Sequence, residues 1–129
     1  MRNRLLTILT FILLYLINQF PLYSQSDRWK YVYTGNNLEY YYDNESISYK
    51  GTKLTFWCKW VFLYDNGYNE REIQTLFEYD CYYRTYKFLY QISYKNDGSK
   101  SEEDLSILNL KKVIIPGDQF EPVFNVLCK

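Results

Sequence analysis

Histidine is absent from the 129-residue chain, and that absence removes Ser-His and Cys-His nucleophiles and most zinc chemistry together. Cysteine is scarce: Cys58, Cys81 and Cys128 stand far apart, so no close pair offers a metal clamp. The five glycines, at 35, 51, 67, 98 and 117, are dispersed, and they build neither a phosphate-cradling loop nor a nucleophile elbow. Charge of one sign is not in excess either, with 15 Lys and Arg against 15 Asp and Glu. A balanced chain without a clustered basic surface has no electrostatic case for nucleic acid, and it holds no polybasic stretch for anionic lipid.

Carboxylates are what remains for catalysis. Glu39 with Asp43, and Glu78 with Asp80, fall at spacings that put each pair on one strand face, where acids usually form a solvated edge. Glu102-Glu103-Asp104 follows a Gly-Ser turn and reads as a solvated loop, and Arg84 beside Asp80 reads as a local ion pair. No catalytic, cofactor-binding or metal-binding residue is assigned, and an enzyme is not expected.

Long apolar runs are missing as well. The longest, Leu5 to Ile17, is thirteen residues, whereas a membrane span needs about 20. It follows Arg2 and Arg4 and gives way to Asn18, Gln19 and Pro21, the layout of a secretory signal. Ser24 and Ser26 supply small residues for cleavage before Asp27, which predicts a signal peptide over 1–26 and one domain over 27–129. Loss of Arg2 and Arg4 leaves 13 basic against 15 acidic residues, a net charge of −2. No cysteine closely follows the apolar run, so the usual site of lipid attachment is missing and no stable membrane insertion is expected after cleavage.

What the chain has in abundance is aromatic side chains: 16 Tyr, 8 Phe and 3 Trp. Phe11, Tyr15, Phe20 and Tyr23 leave with the signal, so 23 rings remain in the domain. Such rings favour pleated, half-buried surfaces. Most of them serve a core, but Tyr also offers amphipathic contact area at low entropy cost, as binding surfaces do.

Turn residues punctuate this domain at Gly35-Asn36-Asn37, Asp65-Asn66-Gly67 and Asn96-Asp97-Gly98. Aromatic and β-branched runs between them predict antiparallel strands near 29–34, 38–43, 53–64, 72–80 and 85–94, with a weaker one near 105–115. From 86 to 94 the alternation of Tyr86, Phe88, Tyr90, Ile92 and Tyr94 predicts one buried face. From Phe56 to Leu63 both faces are apolar, which predicts a central strand covered on both sides.

Past Pro116-Gly117 the period changes. Phe120, Val123, Phe124 and Leu127 form a helical stripe, Asp118 with Glu121 suggests a capping box, and Pro122 moves the start towards Glu121. About ten residues of helix are marginal alone. In an exported chain three cysteines imply one disulfide and one free thiol. Cys128 ends the helix and Cys81 ends a strand on the face of Phe77 and Tyr79, so a Cys81–Cys128 bond would tie helix to sheet and leave Cys58 as a free, buried thiol. Pairings through Cys58 are the competing connectivities. The expected fold is therefore α+β and mainly β: an antiparallel sheet of five to six strands, with one C-terminal helix on one face.

These residues together resemble the surface-adhesin protein E family. The resemblance runs from about 29 to 128 and rests on Trp29, Tyr41-Tyr42-Asp43 followed by Ser46-Ile47, Trp57, Asp80-Cys81 with Arg84 and Tyr86, Ile115-Pro116-Gly117 and Cys128. It implies an antiparallel sheet with the helix tied across it by a disulfide, and bacterial surface proteins that bind host matrix and plasma proteins and can dimerise. The chain departs from the pattern by carrying Leu110 and Lys111 where a tryptophan is expected, by adding Cys58, and by lacking a lipid-attachment cysteine. The functional expectation is an exported envelope or surface module, in the periplasm, at the cell surface or secreted, that binds a protein partner through aromatic side chains. The alternative is a structural or accessory envelope protein that self-associates or pairs with another subunit, with no small-molecule ligand.

Overall fold

The computed structural model describes residues 28–65 and 67–129, so the signal peptide expected over 1–26 lies outside the described residues. Eight strands among these form one antiparallel sheet: β1 Trp29–Gly35, β2 Leu38–Asp43, β3 Ser48–Lys50, β4 Lys53–Phe62, β5 Glu70–Asp80, β6 Thr85–Lys95, β7 Lys100–Asp104 and β8 Lys112–Val113. The main path runs β1-β2-β4-β5-β6-β7, with β3 on β4 and β8 on β6. A 3-10 turn, Ser106–Leu108, and one helix, α1, Glu121–Leu127, complete the order.

Turn chemistry explains the hairpins. Asn36 and Asn37, at φ 53° and 61°, give the left-handed pair that a two-residue hairpin needs for its twist to match its strands, and Gly35 pairs with Leu38 across it. Gly117, at φ 82°, sits in the turn that Asp118 N–H closes onto Ile115 O at 3.0 Å. That turn aims the chain back across the sheet.

α1 covers one face. Leu54, Phe56, Phe77, Tyr79 and Tyr86 are buried beneath it, and Phe120, Val123, Phe124 and Leu127 are buried above. The stripe read from the sequence is thus the packing face of the helix. Phe120 forms the centre of the contact, with ring centroids 4.6 Å from Tyr86 and 5.5 Å from Phe77. Cys81 and Cys128 are bonded, with Cα atoms 5.3 Å apart across 47 residues of chain, so the end of the helix is tied to the end of β5.

Four tyrosine hydroxyls add to the tie. Tyr33 and Tyr40 donate to Gln119 O and Oε1, at 3.2 and 3.0 Å. Tyr79 donates to Phe120 O at 3.3 Å, and Tyr49 to Leu127 O at 3.2 Å. A tyrosine presents an apolar ring to the core and a donor at its tip, so it satisfies carbonyls at both ends of a short helix without burying an unpaired polar atom.

Several expectations need correction. The capping box does not form as such: Asp118 Oδ1 accepts from Phe120 N–H at 3.2 Å and Glu121 Oε2 from Gly117 N–H at 2.8 Å, while α1 starts at Glu121 with Pro122 in its first turn. The segment 105–115 is not one strand but an exposed strap holding the 3-10 turn and the two residues of β8. Glu102-Glu103-Asp104 is not a loop but part of the edge strand β7, since ladder pairing uses the backbone and leaves the charges in water. β4 is central but covered on one face only: Leu54, Phe56 and Cys58 are buried, whereas Trp57 and Val61 are half-buried and no helix or strand packs over them among the described residues.

Candidate functional site

Two β-bulges decide which rings reach the open face. In β1 the register shifts between Tyr31 and Tyr33, so Tyr31 opposes Tyr41 whereas Tyr33 opposes Tyr40 and stacks on it at 4.4 Å. An inserted residue reverses the alternation, because the side-chain period is two. Tyr33 and Tyr40 therefore serve the helix side, and Trp29, Tyr31 and Tyr41 the other.

In β6 the partner changes from Phe77↔Phe88 to Leu76↔Tyr90, with Leu89 as the extra residue. Tyr86 and Phe88 pack under Phe120, at 4.6 and 5.9 Å. Tyr90 instead meets Trp57 edge-on at 6.3 Å, and Trp57 lies on the side of β4 opposite to buried Phe56. The single buried face expected from Tyr86 to Tyr94 is thus split: Tyr86 and Phe88 point to the helix, and Tyr90, Ile92 and Tyr94 to the open face. Ser93, buried at 6 % exposure, marks the same reversal.

Cross-strand rows order the open face. One row runs Tyr31, Tyr41, Lys59, Gln74, Ile92 and Glu102, and the next holds Trp57, Leu76 and Tyr90. Lys59 Nζ lies 4.6 Å from the Trp29 ring centroid and 4.8 Å from that of Tyr41, a cation held between two rings. Tyr41 donates to Glu39 Oε2 at 2.7 Å, and Tyr90 to Glu102 Oε2 at 2.8 Å. Donation to a carboxylate holds both phenols above their ordinary range, so they stay neutral donors through the physiological range. Tyr31 is 57 % exposed; Trp29, Tyr41, Trp57, Tyr90 and Tyr94 are half-buried, shaded by one another.

The acids singled out in the sequence are placed apart. Asp43 is fully buried and accepts from Arg28 Nε at 2.8 Å and from Glu45 N–H at 3.0 Å. Glu39 is held by Tyr41, and Glu78 lies 3.4 Å from Lys53. Asp80 does not pair with Arg84; its Oδ1 caps the turn after β5, accepting from Tyr82 and Tyr83 N–H at 3.1 and 3.3 Å. Arg84 instead contacts Glu121 at 3.4 Å and lies over the Phe124 ring at 4.6 Å. Among the described residues no group of three or more Cys, Asp and Glu side chains is placed to hold a metal.

Cys58 is a free thiol, 4 % exposed, on the helix side of β4. Its Sγ donates to Tyr41 O at 2.9 Å, and burial pushes its pKa up to about 12.

The architecture defines a class: one antiparallel sheet, closed on one side by a disulfide-tied C-terminal helix and, among the described residues, uncovered and aromatic on the other. A family model described as surface-adhesin protein E matches residues 29–129, and the chain belongs to that family. Two solved structures share the fold, both at 14 % identity over 84 % of this chain. The structure of Haemophilus influenzae protein E is covered over 88 % of its length at a TM-score of 0.56. Protein E from non-typeable Haemophilus influenzae is covered over 79 % at 0.51. No curated protein sequence matches the chain.

Proposed function

We propose that this protein is an exported adhesin-like module that binds a protein partner, a host matrix or plasma protein or an envelope protein, through the open face of its sheet. The observation that carries this reading is the asymmetry of the two faces. α1 and the Cys81–Cys128 bond close one face, whereas Trp29, Tyr31, Tyr41, Trp57, Tyr90 and Tyr94 stand uncovered on the other among the described residues. Aromatic side chains with hydroxyls fixed by neighbouring carboxylates present rigid, amphipathic area, the kind that anchors protein interfaces. Family membership supports the surface role, and the signal layout at residues 2–26 supports export.

The test is surface plasmon resonance of the exported protein against a panel of extracellular-matrix and plasma proteins, with Tyr31→Ser and Trp29→Ala as variants. Loss of two interface anchors should weaken binding by at least about tenfold. Binding unchanged by both substitutions overturns the assignment of the face. A concentration-dependent dimer in ultracentrifugation that the same substitutions dissociate would place a second copy on the face, and the self-associating reading would replace this one.

A further inference from the structure

α1 does not cover the whole of its own side of the sheet. Phe120 packs on Phe77 and Phe88, at ring-centroid distances of 5.5 and 5.9 Å, and beyond that pair β5 and β6 run on away from the helix. There Gln91 faces Glu103 and Ser93 faces Ser101 across the β6–β7 ladder, while Glu70 starts β5 opposite Lys95. Gln91 and Ser93 take the helix side because Tyr90, Ile92 and Tyr94 take the other. Glu70, Gln91, Ser93, Ser101, Glu102 and Glu103 line a polar cleft of about 350 Å³.

The cleft is built from groups without partners. Ser93 is only 6 % exposed, yet its hydroxyl makes no hydrogen bond among the described residues. A buried hydroxyl of this kind calls for something in the cleft to pair with it. The carboxylates of Glu70 and Glu103, the Gln91 amide and the Ser101 hydroxyl are likewise unpaired among the described residues. Glu102 is taken by Tyr90 and Lys100, at 2.8 and 2.6 Å. The cations near the cleft do not neutralise it: Lys100 is held on Glu102, and neither Lys95 nor Arg71 forms an ion pair among the described residues. Over residues 70–72 and 95–104 six acids, Glu70, Glu72, Asp97, Glu102, Glu103 and Asp104, stand against Arg71, Lys95 and Lys100, a net charge of −3.

The charge and the acceptors together call for a cation that donates hydrogen bonds. A calcium ion takes about six to eight oxygens converging on one point, and among the described residues no three Cys, Asp or Glu side chains are so placed. The acceptors are instead spread over β5, β6 and β7, a separation that suits a planar cation with several N–H donors. We propose that the cleft receives an arginine side chain of a protein partner, with its guanidinium between Glu70 and Glu103 and its N–H groups on the Ser93 and Ser101 hydroxyls and the Gln91 carbonyl. The site lies on the opposite side of the sheet from the aromatic face and stands apart from that reading.

Amide NMR of the disulfide-intact exported protein tests it, with N-acetyl-arginine N-methylamide as the probe and the matching citrulline compound as a neutral isostere. The arginine probe is expected to shift the amide signals of Gln91, Ser93, Ser101 and Glu103 at millimolar concentration and to lose affinity as salt rises. The citrulline probe should not shift them. Glu70→Gln with Glu103→Gln should weaken binding at least about tenfold, and Ser93→Ala about threefold, with circular dichroism showing each variant folded. Free arginine, whose α-carboxylate the acids repel, should bind more weakly than the blocked probe; the reverse order would make this a site for the free amino acid and overturn the partner assignment. Absence of binding, equal shifts from citrulline, shifts confined to β1 and β2, indifference to the glutamate pair, or the same shifts from calcium chloride at lower concentration overturns the proposal.

Discussion

Cutting the Cys81–Cys128 bond should separate the stability of α1 from that of the sheet. Ordering seven helical residues costs about 7–14 kcal/mol in backbone entropy. Burial of Phe120, Val123, Phe124 and Leu127 offsets this by about 6–12 kcal/mol. The two nearly cancel, so the tie decides. Closing a loop of 47 residues contributes about 4 kcal/mol in the chain-entropy model, and the four tyrosine hydroxyls about 1 kcal/mol each at most. Replacing both cysteines, Cys81→Ser with Cys128→Ser, should therefore lower the unfolding free energy by about 2–4 kcal/mol in urea titration. Hydrogen exchange should show the amides from Phe124 to Cys128 losing most of their protection while those of β4 and β5 keep theirs. A loss under about 0.5 kcal/mol with helix protection intact would refute the reasoning and leave the hydroxyls and Phe120 as sufficient anchors.

Three further outcomes are expected. With its pKa at about 12 and burial at 4 % exposure, Cys58 should react with thiol reagents about a thousandfold more slowly in the folded protein than after denaturation; comparable rates would mean the strand is mobile. Burial raises the phenols of Tyr40 and Tyr79 above the ordinary 10.0, so the folded state holds their protons more tightly than the unfolded state: their contribution is full below pH 10 and lost as pH rises beyond it, by up to about 1.4 kcal/mol per pH unit for each fully buried ring, measurable by chemical denaturation at stepped alkaline pH. Export should yield a mature N-terminus near Gln25 to Asp27, and Met1 recovered intact in the membrane fraction by N-terminal sequencing would contradict it.

Much of this fold is legible locally. The Gly-Asn-Asn turn, the apolar stretch of β4 and the stripe from Phe120 to Leu127 each encode an element through short-range chemistry, and the structure places them accordingly. The failures come where backbone pairing acts without side-chain pattern. β7 is formed by Lys100-Ser101-Glu102-Glu103-Asp104, residues that read as loop, because β6 supplies a template that any extended backbone satisfies. The strap reads as a weak strand because it is rich in aliphatic and β-branched residues, yet none of Ile107, Leu108, Leu110 and Val113 is buried. The bulge falls at Leu89, an apolar residue where the alternation of Lys87, Gln91 and Ser93 calls for a polar one, and it alone moves Tyr90, Ile92 and Tyr94 to the candidate face. A reader of the sequence would have to know the register of β5 to see it. The helix tie by tyrosine hydroxyls is hidden for the same reason, since Tyr33, Tyr40, Tyr49 and Tyr79 reach residues 41 to 86 positions away.

The abundance of tyrosine then has more than one physical cause in this molecule. Tyr33, Tyr40, Tyr49 and Tyr79 spend their hydroxyls on the carbonyls and amide around a seven-residue helix, hydrogen bonds that leucine or phenylalanine could not donate. Tyr41 and Tyr90 spend theirs on open-face carboxylates, which fixes ring orientation where no core packs above among the described residues. Because the two bulges allot rings to one role or the other, a change in bulge geometry alters binding surface and core at once. Removing Leu89 would restore strict alternation in β6 and drive either Tyr90 and Ile92 into the helix side or Tyr86 and Phe88 out of it. Phe120 would lose its closest ring in the latter case, and the open face its Trp57 partner in the former. The helix tie and the candidate face are therefore coupled through one residue of β6, although no side chain bridges them.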